Sequence, residues 1–82
     1  MELTVITPEE EYYHGKVDSV KVPGTSGEFQ ILRNHAAIVS SLQEGKVTFR
    51  EKDGNEKVIM ITGGFVEVFH NKESLLINSI KQ

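Results

Sequence analysis

Short apolar runs alternate with polar positions along this chain, and turn residues separate them. Leu3 and Val5 point one way, Glu2 and Thr4 the other. Val20 and Val22 alternate with Ser19 and Lys21; Val47 and Phe49 alternate with Lys46, Thr48 and Arg50. This period of two marks half-buried strands. Val17 is out of phase with Val20, which predicts a bulge or bend near Asp18. Val58–Ile61 is continuously apolar and reads as a strand covered on both faces. Phe65–Phe69 and Leu75–Ile77 complete the set. Asp53-Gly54 is a hairpin tip between Val47–Glu51 and Lys57–Thr62. Gly63-Gly64 and Asn71-Lys72 separate further strands, and Gly45 marks a turn after Leu42. Gly63-Gly64 reads as a sharp reversal that needs positive φ or close backbone approach.

Two segments carry mixed signals. Ile31, His35, Ile38 and Leu42 fit one face of a helix, with Asn34 as cap and Gly45 as stop. The β-branched pair Ile38-Val39 followed by Ser40-Ser41 favours a strand instead. Thr7-Pro8-Glu9-Glu10 looks like a helix start, with room for one turn before Tyr12, Tyr13 and Gly15. The pattern as a whole predicts a small all-β antiparallel sandwich or barrel of seven to nine strands. The 82 residues form one domain spanning 1–82, without linker or internal repeat.

Composition narrows the function. There is no cysteine, so neither disulfides nor thiolate chemistry is available. Net charge is -3, and the nine Lys and Arg residues are scattered along the chain, so no basic stripe for nucleic acid or an anionic membrane is visible. No apolar run approaches the ~20 residues of a transmembrane helix. The N-terminus lacks a basic-then-apolar signal pattern. Catalysis fails on inventory. His14, His35 and His70 have no zinc-ligand spacing, and the serines lack a nucleophile elbow. Gly24-Thr25-Ser26-Gly27 has no lysine following it as a P-loop requires. Glu9-Glu10-Glu11 are consecutive, so they diverge as a solvated acidic turn rather than converge on a cation.

The most distinctive stretch is Val20–Ala36, VKVPGTSGEFQILRNHA. Pro23, Gly24 and Gly27 build a tight loop, and Glu28 and Asn34-His35 stand at either end of a short extended piece. Taken as residues alone, Glu28 is a solvated loop carboxylate and His35 a half-exposed imidazole. The stretch resembles the epsilon subunit of the F-type rotary ATP synthase, whose pattern is roughly VPG-x-x-GE-hydrophobic-GIL-x-x-HAP. The opening strand ending in Thr7-Pro8-Glu9 and the run Gly63-Gly64-Phe65-Val66-Glu67-Val68 match in order.

That resemblance implies a flattened β-sandwich of about ten short strands and a non-catalytic rotor subunit with no cofactor. It would join the gamma subunit to the c-ring on the central stalk, at the cytoplasmic face of a bacterial membrane. It would couple proton- or sodium-driven rotation to ATP synthesis. Glu28 and His35 would contact the polar loops of the c-ring. Ile38, Val39, Ser40 and Leu42 would contact gamma. Gln30 stands where the family pattern has Gly, so the backbone there should not be αL. Ala37 replaces the usual Pro. The family usually continues into a C-terminal helical hairpin that can regulate ATP hydrolysis; this sequence stops at Gln82, so a subunit without that arm is expected. The alternative is a free-standing module that binds a small ligand or peptide through Pro23–His35, since sandwiches host many functions.

Overall fold

A computed structural model describes residues 1–81. It contains eight strands: β1 (Glu2–Ile6), β2 (Glu11–Gly24), β3 (Gly27–Leu32), β4 (Ile38–Leu42), β5 (Gly45–Glu51), β6 (Glu56–Ile61), β7 (Gly64–Phe69) and β8 (Lys72–Ile77). They follow the order β1-β8-β7-β4-β2-β5-β6, with β3 also on β2 and β1 also on β2. Every pairing is antiparallel except β1 with β8.

The long β2 explains how one sheet becomes two layers. Its start pairs with β1, from Glu11 to Lys16. From Val17 on it pairs with β5, and from Ser19 on with β3. Its last residue, Gly24, pairs with Leu42 of β4. The register slips between Val17 and Ser19, at the bulge that the odd spacing of Val17 and Val20 predicts. Because of it, both valines reach the core, at 1% and 0% exposure. The eight strands fall within the seven to nine that the pattern predicts, and β2 passes through this bulge as one element of 14 residues.

One core fills the space between the layers. It is built from alternate residues of β1, β2, β5, β6, β7 and β8, with Ile31 of β3 and Leu42 of β4. Tyr13 caps one side: its ring lies 4.7 Å from that of Phe49, and its hydroxyl donates to Glu51 Oε2 at 2.7 Å. Burial and that bond to a carboxylate push the phenol up to about 12.

Several expectations need correction. Val58–Ile61 is not covered on both faces: Ile59 and Ile61 are buried, while Val58 and Met60 face outward. An apolar run without alternation hides which phase is inside. Thr7–Glu10 forms no helix. It closes the β1–β2 hairpin instead: Thr7 N–H donates to Glu10 O at 2.9 Å, and Glu10 N–H donates to Thr7 Oγ1 at 3.2 Å. The β7–β8 turn is centred on His70 and Asn71, both at positive φ (50° and 60°), one residue earlier than expected. The ambiguous stretch after Asn34 resolves as loop and then strand β4. Gln30 lies in β3, paired with Lys21, with no positive φ.

Candidate docking surfaces

The strands β4, β7, β8 and β1 present one outer face, and register decides what stands on it. Ser41, Phe65, Leu76 and Ile6 form one row across the four strands. Val39, Glu67, Ser74 and Thr4 form the next. In β7 the burial alternates strictly: Val66 and Val68 enter the core, while Phe65 and Phe69 face out at 53% and 60% exposure. Val39 is 69% exposed, and Leu76 and Ile6 are also exposed. Scattered exposed apolar residues are ordinary; here five share one face, with Glu67 between Phe65 and Phe69, and such a grouping is a candidate docking surface.

Two shallow hollows shape this face. One, of about 330 Å³, lies between Val39 and Phe69 with Ala37 and Ile38 at its rim. The other, of about 280 Å³, lies around Ile6, Pro8, Phe65 and Leu76.

The four β4 residues expected at a gamma contact behave differently from one another. Val39 projects outward, and Ile38 and Ser40 are half-buried. Leu42 is a correction: at 5% exposure it belongs to the core, because the strand's alternation and its pairing with Gly24 turn it inward. Leu42 therefore carries packing, not contact. Sequence reading leaves Phe65 and Phe69 open as core or interface aromatics and does not single out Leu76 and Ile6, all four of which are exposed. A signal for them existed. In Phe65-Val66-Glu67-Val68-Phe69 the phase of Val66 and Val68 is wholly apolar while Glu67 stands in the other, so Phe65 and Phe69 share the outward phase that Glu67 marks.

Glu28 and His35 do not converge. Glu28 is exposed beside the β2–β3 turn, in a hollow with Ser26, Phe29, Ile38 and Ser40. His35 is half-buried beyond the far end of β3, near Ala37, Phe69 and Asn71, with its Nδ1 2.8 Å from Ala36 O. Strand β3 carries the chain ~13 Å from Glu28 to Leu32, and His35 lies beyond it in a turn, its N–H donating to Leu32 O at 3.1 Å. The two therefore mark the ends of a line along β3, whose outer edge carries no strand partner. Such a line suits an extended polar contact. It cannot assemble a catalytic pair, since two groups that share a proton must lie within hydrogen-bond reach. Among the described residues, no cluster of three His, Asp or Glu is placed to hold a metal ion.

The chain matches known proteins in both sequence and fold. The family model described as the β-sandwich domain of the ATP synthase delta/epsilon chain matches residues 1–82. The ATP synthase epsilon chain of Chlorobaculum tepidum is 38% identical over 78 residues, covering 95% of this chain and 89% of the relative. That of Protochlamydia amoebophila is also 38% identical, over 79 residues, but this chain spans only 54% of its length. Among solved structures, a chain of the Euglena gracilis mitochondrial ATP synthase superposes with a TM-score of 0.89 at 21% identity, over 96% of this chain and 51% of that one.

Proposed function

The chain belongs to the β-sandwich family of ATP synthase delta/epsilon chains, and from that membership we propose that it works as the epsilon subunit, a non-catalytic part of the central stalk. In this reading the outer face of β4, β7, β8 and β1 packs on the gamma subunit. The line from Glu28 to His35 rests on the polar loops of the c-ring. The chain then turns with both and passes the torque of a proton- or sodium-driven ring to the catalytic head. It would sit peripherally at the cytoplasmic face of a bacterial membrane.

One observation carries the docking mode. Of the nine large apolar residues exposed in the structure, five (Ile6, Val39, Phe65, Phe69 and Leu76) share a single outer face. The outer side of β5 instead carries Lys46, Thr48 and Arg50. A subunit that must not slip under torque needs a desolvated apolar contact towards one neighbour. Towards polar loops it needs hydrogen bonds and charge pairs instead.

Glu28 and His35 test the second contact. Replacing both with Ala removes two polar groups that lie outside the core, so the fold should be unchanged by circular dichroism. Proton-driven ATP synthesis by the assembled complex should fall several-fold, while ATP hydrolysis by the detached head stays as it was. Unaltered synthesis would remove these two positions from the joint.

A further inference from the structure

Basic residues that are scattered in the sequence come together in the fold. Lys16 lies in β2, Arg33 follows β3, Lys52 follows β5 and Lys72 opens β8. All four line one open cleft of about 360 Å³ at the end of the sandwich that carries the β7–β8 turn. They are four of the nine basic residues of a chain whose net charge is -3. Only two carboxylates, Glu2 and Asp18, share the cleft. Glu2 is turned towards His14, 3.4 Å away. Among the described residues, none of the four cations is ion-paired. Here the local charge opposes that of the whole molecule.

The walls are held by bonds that do not involve the charged groups. Lys52 N–H donates to Lys16 O at 3.1 Å, and Glu2 N–H donates to Asn71 O at 2.9 Å. Asn34 N–H donates to Asn71 Oδ1 at 2.7 Å, and Asn71 Nδ2 donates back to Asn34 Oδ1 at 3.1 Å. This amide pair ties the segment carrying Arg33 to the turn carrying Lys72. Asn34, His70 and Asn71 are also the three non-glycine residues at positive φ among those described. The chain thus adopts its least common backbone geometry around this cleft, and holds it there.

We propose that the cleft binds a phosphate-bearing anion, with Arg33 supplying a planar two-pronged donor and Lys16, Lys52 and Lys72 supplying point charges around it. A phosphate group presents more acceptor oxygens to several unpaired cations at once than a single carboxylate can. The volume lies at the small end of ligand sites, so the group held is of diphosphate or phospholipid-headgroup size. The cleft is formed by this chain alone, and it lies beside the His35 end of the proposed c-ring contact.

The test uses the full chain, two probes and two double variants. Inorganic pyrophosphate, read by calorimetry, represents a free anion. Phosphatidylglycerol vesicles, read by co-sedimentation against phosphatidylcholine vesicles, represent a lipid headgroup. Arg33→Gln with Lys72→Gln removes two cleft charges. Lys46→Gln with Lys57→Gln removes the same charge from β5 and β6, away from the cleft. All four side chains are exposed, so folding should be retained in both variants. The parent should bind one of the probes, the cleft variant should lose about tenfold or more, and the control variant should stay within about twofold. Pyrophosphate binding assigns a free anion; vesicle binding alone assigns a headgroup. Failure of both probes, or equal weakening by the two variants, overturns the proposal.

Discussion

Glu73→Gln should stabilise the fold by on the order of 3 kcal/mol near pH 8 and by almost nothing near pH 4.5. Glu73 faces inward from β8, in phase with Leu75 and Ile77, and is 1% exposed. Both carboxylate oxygens are buried without a hydrogen-bond partner. Burial pushes its pKa up to about 7 from 4.5, and the positive Met1 amino group only partly opposes this. The sign follows from proton counting. Between about pH 4.5 and 7 the folded state holds a proton that the unfolded chain has released, so stability falls as pH rises through that window. Above it the loss is complete and constant. Gln is neutral throughout and escapes the loss. Urea unfolding of parent and variant at the two pH values reads the effect, because every other titrating group is common to both proteins. A difference that is the same at both pH values would show that Glu73 does not titrate in this window. Glu73→Leu should stabilise at both, since it also removes the buried polar atoms.

Gly64→Ala should have the opposite effect, a loss of about 3 kcal/mol or more, which is a large part of the stability of a small domain. Gly64 has φ +150°, and β7 is flanked by β4 and β8, with Gly64 opposite Leu42 and Ile77. An added Cβ would run into the Leu76 carbonyl and lie 2.8 Å from Ile77 Cα. All of these atoms are backbone of β8, so no flexible side chain can give way. Gly27 is the control: its φ is +130°, but an added Cβ meets nothing within 4 Å. Gly27→Ala should therefore cost only the backbone term, about 1 kcal/mol. Similar small losses at both sites would show that the strand pair relaxes around the methyl group.

Much of this fold was legible in the sequence because its punctuation is local. Asp53-Gly54 turns where it should, with Gly54 at φ +97°. Gly63-Gly64 reverses the chain into β7 with both residues at positive φ. The mismatch between Val17 and Val20 located the bulge, because two apolar residues three apart cannot share one face of a regular strand. What failed was parity where the pattern is uniform. Val58–Ile61 is apolar in both phases, and Lys72-Glu73-Ser74 is polar in both. Neither run shows which side chains turn inward, so the outward Met60 and the buried Glu73 were both hidden. The helical spacing from Ile31 to Leu42 was coincidental; β-branched residues and the pairing of β4 with β7 decided the matter.

The candidate surfaces divide in the same way. Glu28 and His35 could be named because they sit on a loop pattern readable in one stretch. The apolar face could not, since Ile6, Phe65 and Leu76 become neighbours only through the β1–β8 and β7–β8 registers. The basic cleft was even less visible. Lys16, Arg33, Lys52 and Lys72 stand far apart in the chain, on four segments that only the folded topology gathers.

The central claim is that the β4-β7-β8-β1 face packs on the gamma subunit, and its most direct test is a calorimetric titration against gamma from the same organism. The parent should bind one to one, tighter than about micromolar, near -8 kcal/mol. Phe65→Glu, which places a charge in the row shared with Leu76 and Ile6, should weaken binding at least tenfold, by about 1.4 kcal/mol or more. Leu32→Glu, at an exposed position on β3, should bind as the parent does. No binding with both partners folded, or a Phe65→Glu variant as tight as the parent, would contradict the account.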